Sequence, residues 1–158
     1  SFVPLEKEIK MIEDYMALEK IRYGDRLKMN LDIKGEYKNK MISPLLLIPL
    51  VENSFKHGAS KMLQHPWVDL NITIEGQYLF FLLSNSRPEE TILSLHNGHI
   101  GLNNVKKRLQ LLYPAAHELS IVNGVDSYEV FMKITLDNLK ENDEPLDMEK
   151  ENLRYELA

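Results

Sequence analysis

The sequence predicts an α+β two-layer sandwich in which helices cover one face of a mixed, largely antiparallel sheet. Helical periodicity near residues 5–23 and 102–113 argues for helices, and strict alternation at 68–74 and 128–136 argues for half-buried strands. The order helix, strand, helix, two strands, loop, helix, two strands then interleaves antiparallel hairpins with helices. With 158 residues, 44% of them hydrophobic and 27% charged, the chain is long enough for one domain with a real core and cramped for two.

In the first helix Leu5, Ile9, Ile12 and Met16 form one stripe, Met11, Tyr15 and Leu18 a second, and Gly24 supplies the stop. Leu27, Met29, Leu31 and Ile33 alternate as a strand ending at the turn Lys34-Gly35. A helix over residues 44–58 follows: Pro44 suits its first turn, Pro49 bends it from within, and Gly58 is its left-handed stop.

Val68, Leu70, Ile72 and Ile74 alternate again, Glu75-Gly76-Gln77 turns the chain, and the nearly continuous apolar run at 78–84 reads as a central strand. Periodicity vanishes over 85–101, as in functional loops and lids. The next helix directs Leu102, Val105, Leu109 and Leu112 to the core before Pro114, and 119–122 pairs with 128–136 across Asn123-Gly124-Val125-Asp126. Three regions result: a lead-in helix at 1–26, the main domain at 27–137, and an acidic tail at 138–158 that forms a short helix or stays disordered.

Charge and composition narrow the function. A net charge of −5 and a single basic cluster, Lys106-Lys107-Arg108, argue against nucleic-acid binding. The absence of cysteine removes disulfides and thiolate metal sites. The apolar runs at 45–51 and 78–83 are too short to span a bilayer, and no signal-peptide pattern opens the chain. A start at Ser1 without Met suggests a piece of a longer or processed protein.

Two segments carry chemistry. An apolar helix that suddenly bears Glu52, Asn53, Lys56 and His57 has no packing reason to do so, and Asn53, Lys56 and His57 share one face. An Asn carbonyl is a hard ligand for Mg²⁺ and a Lys ammonium suits phosphate, so the cluster suggests a metal-nucleotide site. The bland alternative is a Glu52–Lys56 helix pair followed by ordinary C-terminal chemistry. Forty residues later, Gly98 and Gly101 open a helix whose free N–H groups, those of Leu102 and Asn103, are suited to an anion.

Together the two segments resemble the catalytic, ATP-binding domain of sensor histidine kinases, in the autolysis-sensor branch of the superfamily shared with gyrase, Hsp90 and MutL. That branch reads close to Pro-x-Leu-Leu-Leu-x-Pro-Leu-Val-Glu-Asn-Ala-x-Lys-His-Gly where this chain has residues 43–58, with Ser54 in place of Ala. Its Gly-Ile-Gly-Leu-x-Asn-Val-x-x-Arg-Leu is matched by residues 100–109, and residues 3–27 look like the segment that precedes its catalytic domain.

The resemblance implies a Bergerat-type ATP-binding fold over about residues 3–136, with ATP and Mg²⁺ as ligands. By it, Asn53 coordinates Mg²⁺, Glu52 polarises the attacking imidazole, and Lys56 and His57 contact phosphate or ribose. Gly98, Gly101, Leu102 and Asn103 cradle phosphate beneath a lid at 86–99. The γ-phosphate passes to a histidine on an upstream helix; residues 1–26 then link that helix to the domain. The implied partners are this helix, in a homodimer, and a cognate response regulator, with the full-length protein anchored on the cytoplasmic side of a bacterial inner membrane.

Departures from the pattern define a second reading. The family's adenine-binding Asp and following glycines are replaced by Ser84-Asn85-Ser86, where Ser84 or Asn85 could accept the adenine hydrogen bond instead, and His99 stands where a glycine is expected. A degenerate module that has lost nucleotide binding and serves regulation or dimer contacts would share these features. None of His57, His65, His96, His99 or His117 has the Pro-His-Phe neighbours of a phosphoacceptor, so the chain is expected to bind ATP without phosphorylating itself. Trp67 and Tyr128 read as sheet packing, Arg108 as a salt bridge on an exposed helix face, Asn104 as a loop brace, and His65, His96 and His117 as too scattered for a metal site.

Overall fold

In the computed structural model, residues 1–62, 64–88 and 100–139 are described. The first helix, α1 (Leu5–Tyr23), follows a two-residue strand β1 (Val3–Pro4) and ends at Gly24, whose φ of 62° is a conformation glycine adopts without penalty. Leu5, Ile9, Ile12 and Met16 are buried as their spacing predicts. The second stripe faces outward instead: Leu18 is 67% exposed and Met11 40%. Only Tyr15 of that stripe turns inward, edge-on to Phe55 with ring centroids 5.6 Å apart.

The main sheet has five strands in the order β2 (Lys28–Lys34), β4 (Trp67–Glu75), β5 (Tyr78–Ser86), β7 (Ser127–Thr135), β6 (His117–Asn123). Only the β2–β4 pair is parallel. The apolar run read as a central strand is β5, flanked on both sides, in register from Val68↔Asn85 to Glu75↔Tyr78 and from Tyr78↔Thr135 to Ser86↔Ser127. Leu70, Ile72, Leu79, Phe81, Met132 and Ile134 point to the face that the helices cover. This is the mixed, largely antiparallel two-layer sandwich that the alternation implied.

A second sheet, β1–β3–β8, was not legible in the pattern. Its strands β3 (Lys40–Ile42) and β8 (Asp137–Asn138) are too short for alternation to register. It draws the first residues of the acidic tail back onto the domain, with Leu139 N–H donating to Asn39 C=O.

The segment at 44–58 departs most from expectation. Helix α2 (Ile48–Lys56) starts four residues after Pro44, and Pro49 lies in its first turn, where a missing N–H costs nothing, so it does not bend the helix. Residues 44–47 form a turn in which Leu45 takes a φ of 56°. Gly58 has φ −113°, not the left-handed conformation; its need for hydrogen is steric. A Cβ there would stand 2.1 Å from Asn85 Nδ2 and 2.5 Å from the Ser54 carbonyl.

Helix α3 (Ile100–Leu112) buries Leu102, Val105 and Leu109, but Leu112 is 45% exposed. Tyr113, four residues after Leu109, takes the inner place, and its hydroxyl accepts the Ser43 N–H at 2.9 Å. The lid expected at 86–99 lies outside the described residues beyond Pro88, as do Gly98, His96, His99 and the tail from Lys140 onward.

Candidate nucleotide site

Helix α2 delivers its polar residues where its apolar face ends. Leu50, Val51, Ser54 and Phe55 are buried, and the Ser54 hydroxyl donates to the Val51 carbonyl at 2.7 Å, so Ser in place of the family's Ala leaves no unpaired group. Glu52 and Asn53 are half-buried at the rim, and Lys56 and His57 are exposed one turn on. The Lys56 ammonium lies 3.8 Å from Glu52 with both side chains well solvated, a pair worth at most about 1 kcal/mol. Tyr15 faces the same corner: burial, then the charges of Glu19 and Glu52, push its hydroxyl up to about 12.

The end of β5 comes up beneath the C-terminus of α2 because Gly58 permits it. Three consecutive polar residues are buried there, Asn85 and Ser86 at 2% exposure and Arg87 at 8%. Ser86 is fully occupied: its Oγ accepts the Trp67 N–H at 2.9 Å and donates to the Trp67 carbonyl. Asn85 Nδ2 donates to the Ser86 carbonyl at 3.0 Å, whereas Oδ1 is buried without a hydrogen-bond partner among the described residues. An orphaned acceptor of this kind costs about 1–3 kcal/mol, which calls for a reason.

The pleat separates the two residues offered as adenine acceptors. Asn85 continues the buried series Leu79, Phe81, Leu83 on the helix side, while Ser84 continues Leu82 on the open face, opposite Asp69 and Glu129. Ser84 is therefore not brought to the other candidate residues, and Asn85 is. Tyr128, read from sequence as sheet packing, pairs in register with Asn85 and shares its face, and burial raises the pKa of its hydroxyl. Sequence reasoning gave Arg87 no role of its own; a charged residue following directly on Asn85 and Ser86 at the end of a central strand was the available signal.

Helix α3 meets the same face of α2. Leu45, Pro49, Gly101, Asn104, Val105, Lys107 and Arg108 line an open groove of about 430 Å³, and Asn53 stands one turn beyond Pro49 on the same helix face. Leu102 is buried and anchors the helix start, while Gly101 and Asn103 are exposed there, with open space where a Gly101 side chain would stand. Among the described residues Arg108 makes no surface salt bridge. It donates to the Leu45 carbonyl and to Ser43 Oγ, both at 2.7 Å, and to the Pro44 carbonyl. No cluster of three or more His, Cys, Asp or Glu suited to a metal occurs among the described residues, so a divalent ion here would rely on Asn oxygen and its ligand's own oxygens.

Solved structures similar to this one include histidine kinase catalytic domains. The catalytic domain of histidine kinase ThkA aligns over 85% of this chain and 95% of its own with a TM-score of 0.58 at 10% identity. Full-length ShkA, solved in complex with AMPPNP, aligns over 87% of this chain and 32% of its own with a TM-score of 0.59 at 14% identity. In sequence, the sensor histidine kinase BtsS of Escherichia coli K12 is 32% identical over 127 residues, covering 80% of this chain and 22% of BtsS. The sensor protein kinase HptS of Staphylococcus aureus USA300 is 29% identical over 131 residues, covering 75% of this chain and 25% of HptS. No family model matches.

The fold is thus that of a histidine kinase catalytic domain. In sequence the chain is similar to a segment of these sensor histidine kinases, and it spans about a quarter or less of the length of the curated relatives it matches.

Proposed function

We propose that this chain is the ATP-binding catalytic domain of a two-component sensor histidine kinase, acting on a histidine carried by an upstream helix. The observation that carries this reading is Asn85, whose Oδ1 is buried without a hydrogen-bond partner among the described residues and whose amide nitrogen lies against Gly58 just past the end of the Asn53 helix. An uncharged acceptor suits the exocyclic amino group of adenine as the family's carboxylate does, with a weaker bond. A module that had shed nucleotide binding would have no use for an orphaned acceptor, so degeneracy is the poorer account.

The residues present fit a metal-nucleotide complex. Asn53 offers a hard oxygen to Mg²⁺, and Lys56 and His57 lie one turn on for phosphate or ribose. Gly101 and the N–H groups of Leu102 and Asn103 present a positive helix start, with Gly98 completing that opening in sequence. Bound Mg²⁺ neutralises charge on the phosphates; the protein's part is to hold the reactants in line and exclude water. Glu52, half-buried beside Asn53, would orient and polarise an incoming imidazole.

Dimerisation through the upstream helix, a response regulator as phosphate recipient, and membrane attachment outside this chain complete the proposal. No helix among the described residues is long and apolar enough to cross a membrane.

Calorimetric titration with Mg-ATP tests the site. Asn53→Ala, at a half-exposed position, should leave stability within about 0.5 kcal/mol and abolish the magnesium-dependent heat. Heats identical to wild type would refute the assignment of Asn53. Asn85→Leu should remove binding at the base end, and Asn85→Asp should strengthen it.

A further inference from the structure

We infer that Glu8 and Arg108 form a positioning pair that grips the Leu45 peptide from opposite sides and so sets where α2, with Asn53, stands relative to α3. Glu8, on α1, is 1% exposed and accepts the Leu45 N–H through Oε1, with the Leu47 N–H also facing its carboxylate. Arg108, on α3, takes the carbonyl of the same Leu45, together with that of Pro44 and the hydroxyl of Ser43. The Pro44–Leu45 peptide unit is thus held by a carboxylate at its N–H, that of Leu45, and by a guanidinium at its C=O, that of Pro44, and the same guanidinium takes the Leu45 carbonyl of the next unit.

Helix α2 needs this help. Its N-cap, Leu47, makes no side-chain hydrogen bond, and its first turn contains no acidic residue, so its free N–H groups have no local acceptor. A carboxylate is what a helix start favours, and Glu8 supplies one from a different helix. Leu45 itself adopts φ 56° with its side chain 51% exposed, so side-chain packing does not impose that strained backbone; the charged hydrogen bonds do.

The grip sits where it can matter. Leu45, Pro49, Gly101 and Arg108 line the groove between α2 and α3, one turn from Asn53. Displacing the loop would shift Asn53 against the α3 start. Tyr113 holds Ser43 separately through its hydroxyl, so the loop keeps one anchor when Arg108 is removed. The functional consequence rests on the nucleotide-site reading above.

The test measures amide exchange and Mg-ATP affinity on the full chain for Glu8→Ala, Glu8→Gln, Arg108→Ala and, as a control, Tyr113→Phe. Glu8→Ala and Arg108→Ala should each speed exchange at Leu45, Leu47 and the first turn of α2 by about tenfold or more, whereas Glu8→Gln, which keeps the acceptor, should not. Arg108→Ala should weaken Mg-ATP about fivefold or more, and adding Glu8→Ala should cost no further affinity, because both act on one peptide. Tyr113→Phe should lower stability and leave affinity unchanged.

Unchanged exchange at Leu45 in Arg108→Ala overturns the grip. Faster exchange with wild-type affinity, or an equal affinity loss in Tyr113→Phe, overturns the positioning role. If wild type itself binds no Mg-ATP, the proposed function fails and exchange alone decides: loosening that reaches the Asn53–His57 turn in Arg108→Ala supports the pair, and loosening confined to Leu45 overturns it.

Discussion

Gly58 shows how one missing atom shapes the site. Its Cβ would fall 2.1 Å from Asn85 Nδ2 and 2.8 Å from the Ser86 carbonyl, so the α2 terminus and the β5 end approach only because position 58 has no side chain. Gly58→Ala should destabilise by about 1–3 kcal/mol, readable in urea unfolding, and should weaken nucleotide by prying Asn85 from the helix. A stability within error of wild type would contradict the contact.

Glu8 gives a second expectation at this scale. Burial raises its pKa above 4.5, against the smaller lowering effects of the Leu45 and Leu47 amides and Arg108. A folded-state pKa above the unfolded one means the unfolded chain loses its proton first as pH rises. Stability should therefore fall as pH rises from about 4.5 through the folded pKa, and Glu8→Gln should lack that fall. Thermal unfolding of both proteins from pH 4 to 7 checks the sign. The position was readable in the helix pattern, since Glu8 lies three residues after Leu5 and four before Ile12; its partners were not, being 37 and 100 residues away.

At the scale of elements, α2 is where local signals and tertiary context diverged. Proline at 44, proline at 49 and glycine at 58 resemble a start, a kink and a stop. The fold uses them as a pre-helix turn, a first-turn residue and a close contact. Pro49→Ala should thus change stability by no more than about 0.5 kcal/mol, whereas a proline inside the helix would leave a kink to relieve. A large stabilisation would argue for the bent helix.

The sheet was more legible. Its register follows from alternation that buries Val68, Leu70, Ile72 and Ile74 against Leu79, Phe81 and Leu83, because a slip of one residue would expose them all. The same alternation assigns Asn85 and Ser84 to opposite faces. That could have been read from the strand pattern had it been carried to residue 85.

At the scale of the molecule, α1 is part of the domain core: Leu5, Ile9, Ile12 and Met16 are buried in one cluster with α2 and the sheet. Strand β8 adds a short return, pairing Lys40↔Asn138 and Met41↔Asp137. Ending the chain after Leu136 should cost about 1–2 kcal/mol in urea unfolding, a small number of backbone hydrogen bonds, and leave Mg-ATP affinity unchanged. A loss of affinity would assign the tail a part in the site.

By itself the sequence determined the layer architecture, the central place of β5 and the residue types at the site, because hydrophobic periodicity and motif spacing are local properties of the chain. Tertiary structure alone decided which of Ser84 and Asn85 faces the helices, why Gly58 must be glycine, and what Arg108 holds. Those outcomes depend on contacts between residues 27 to 65 positions apart, whose geometry exists only once the sheet has paired and the helices have packed upon it.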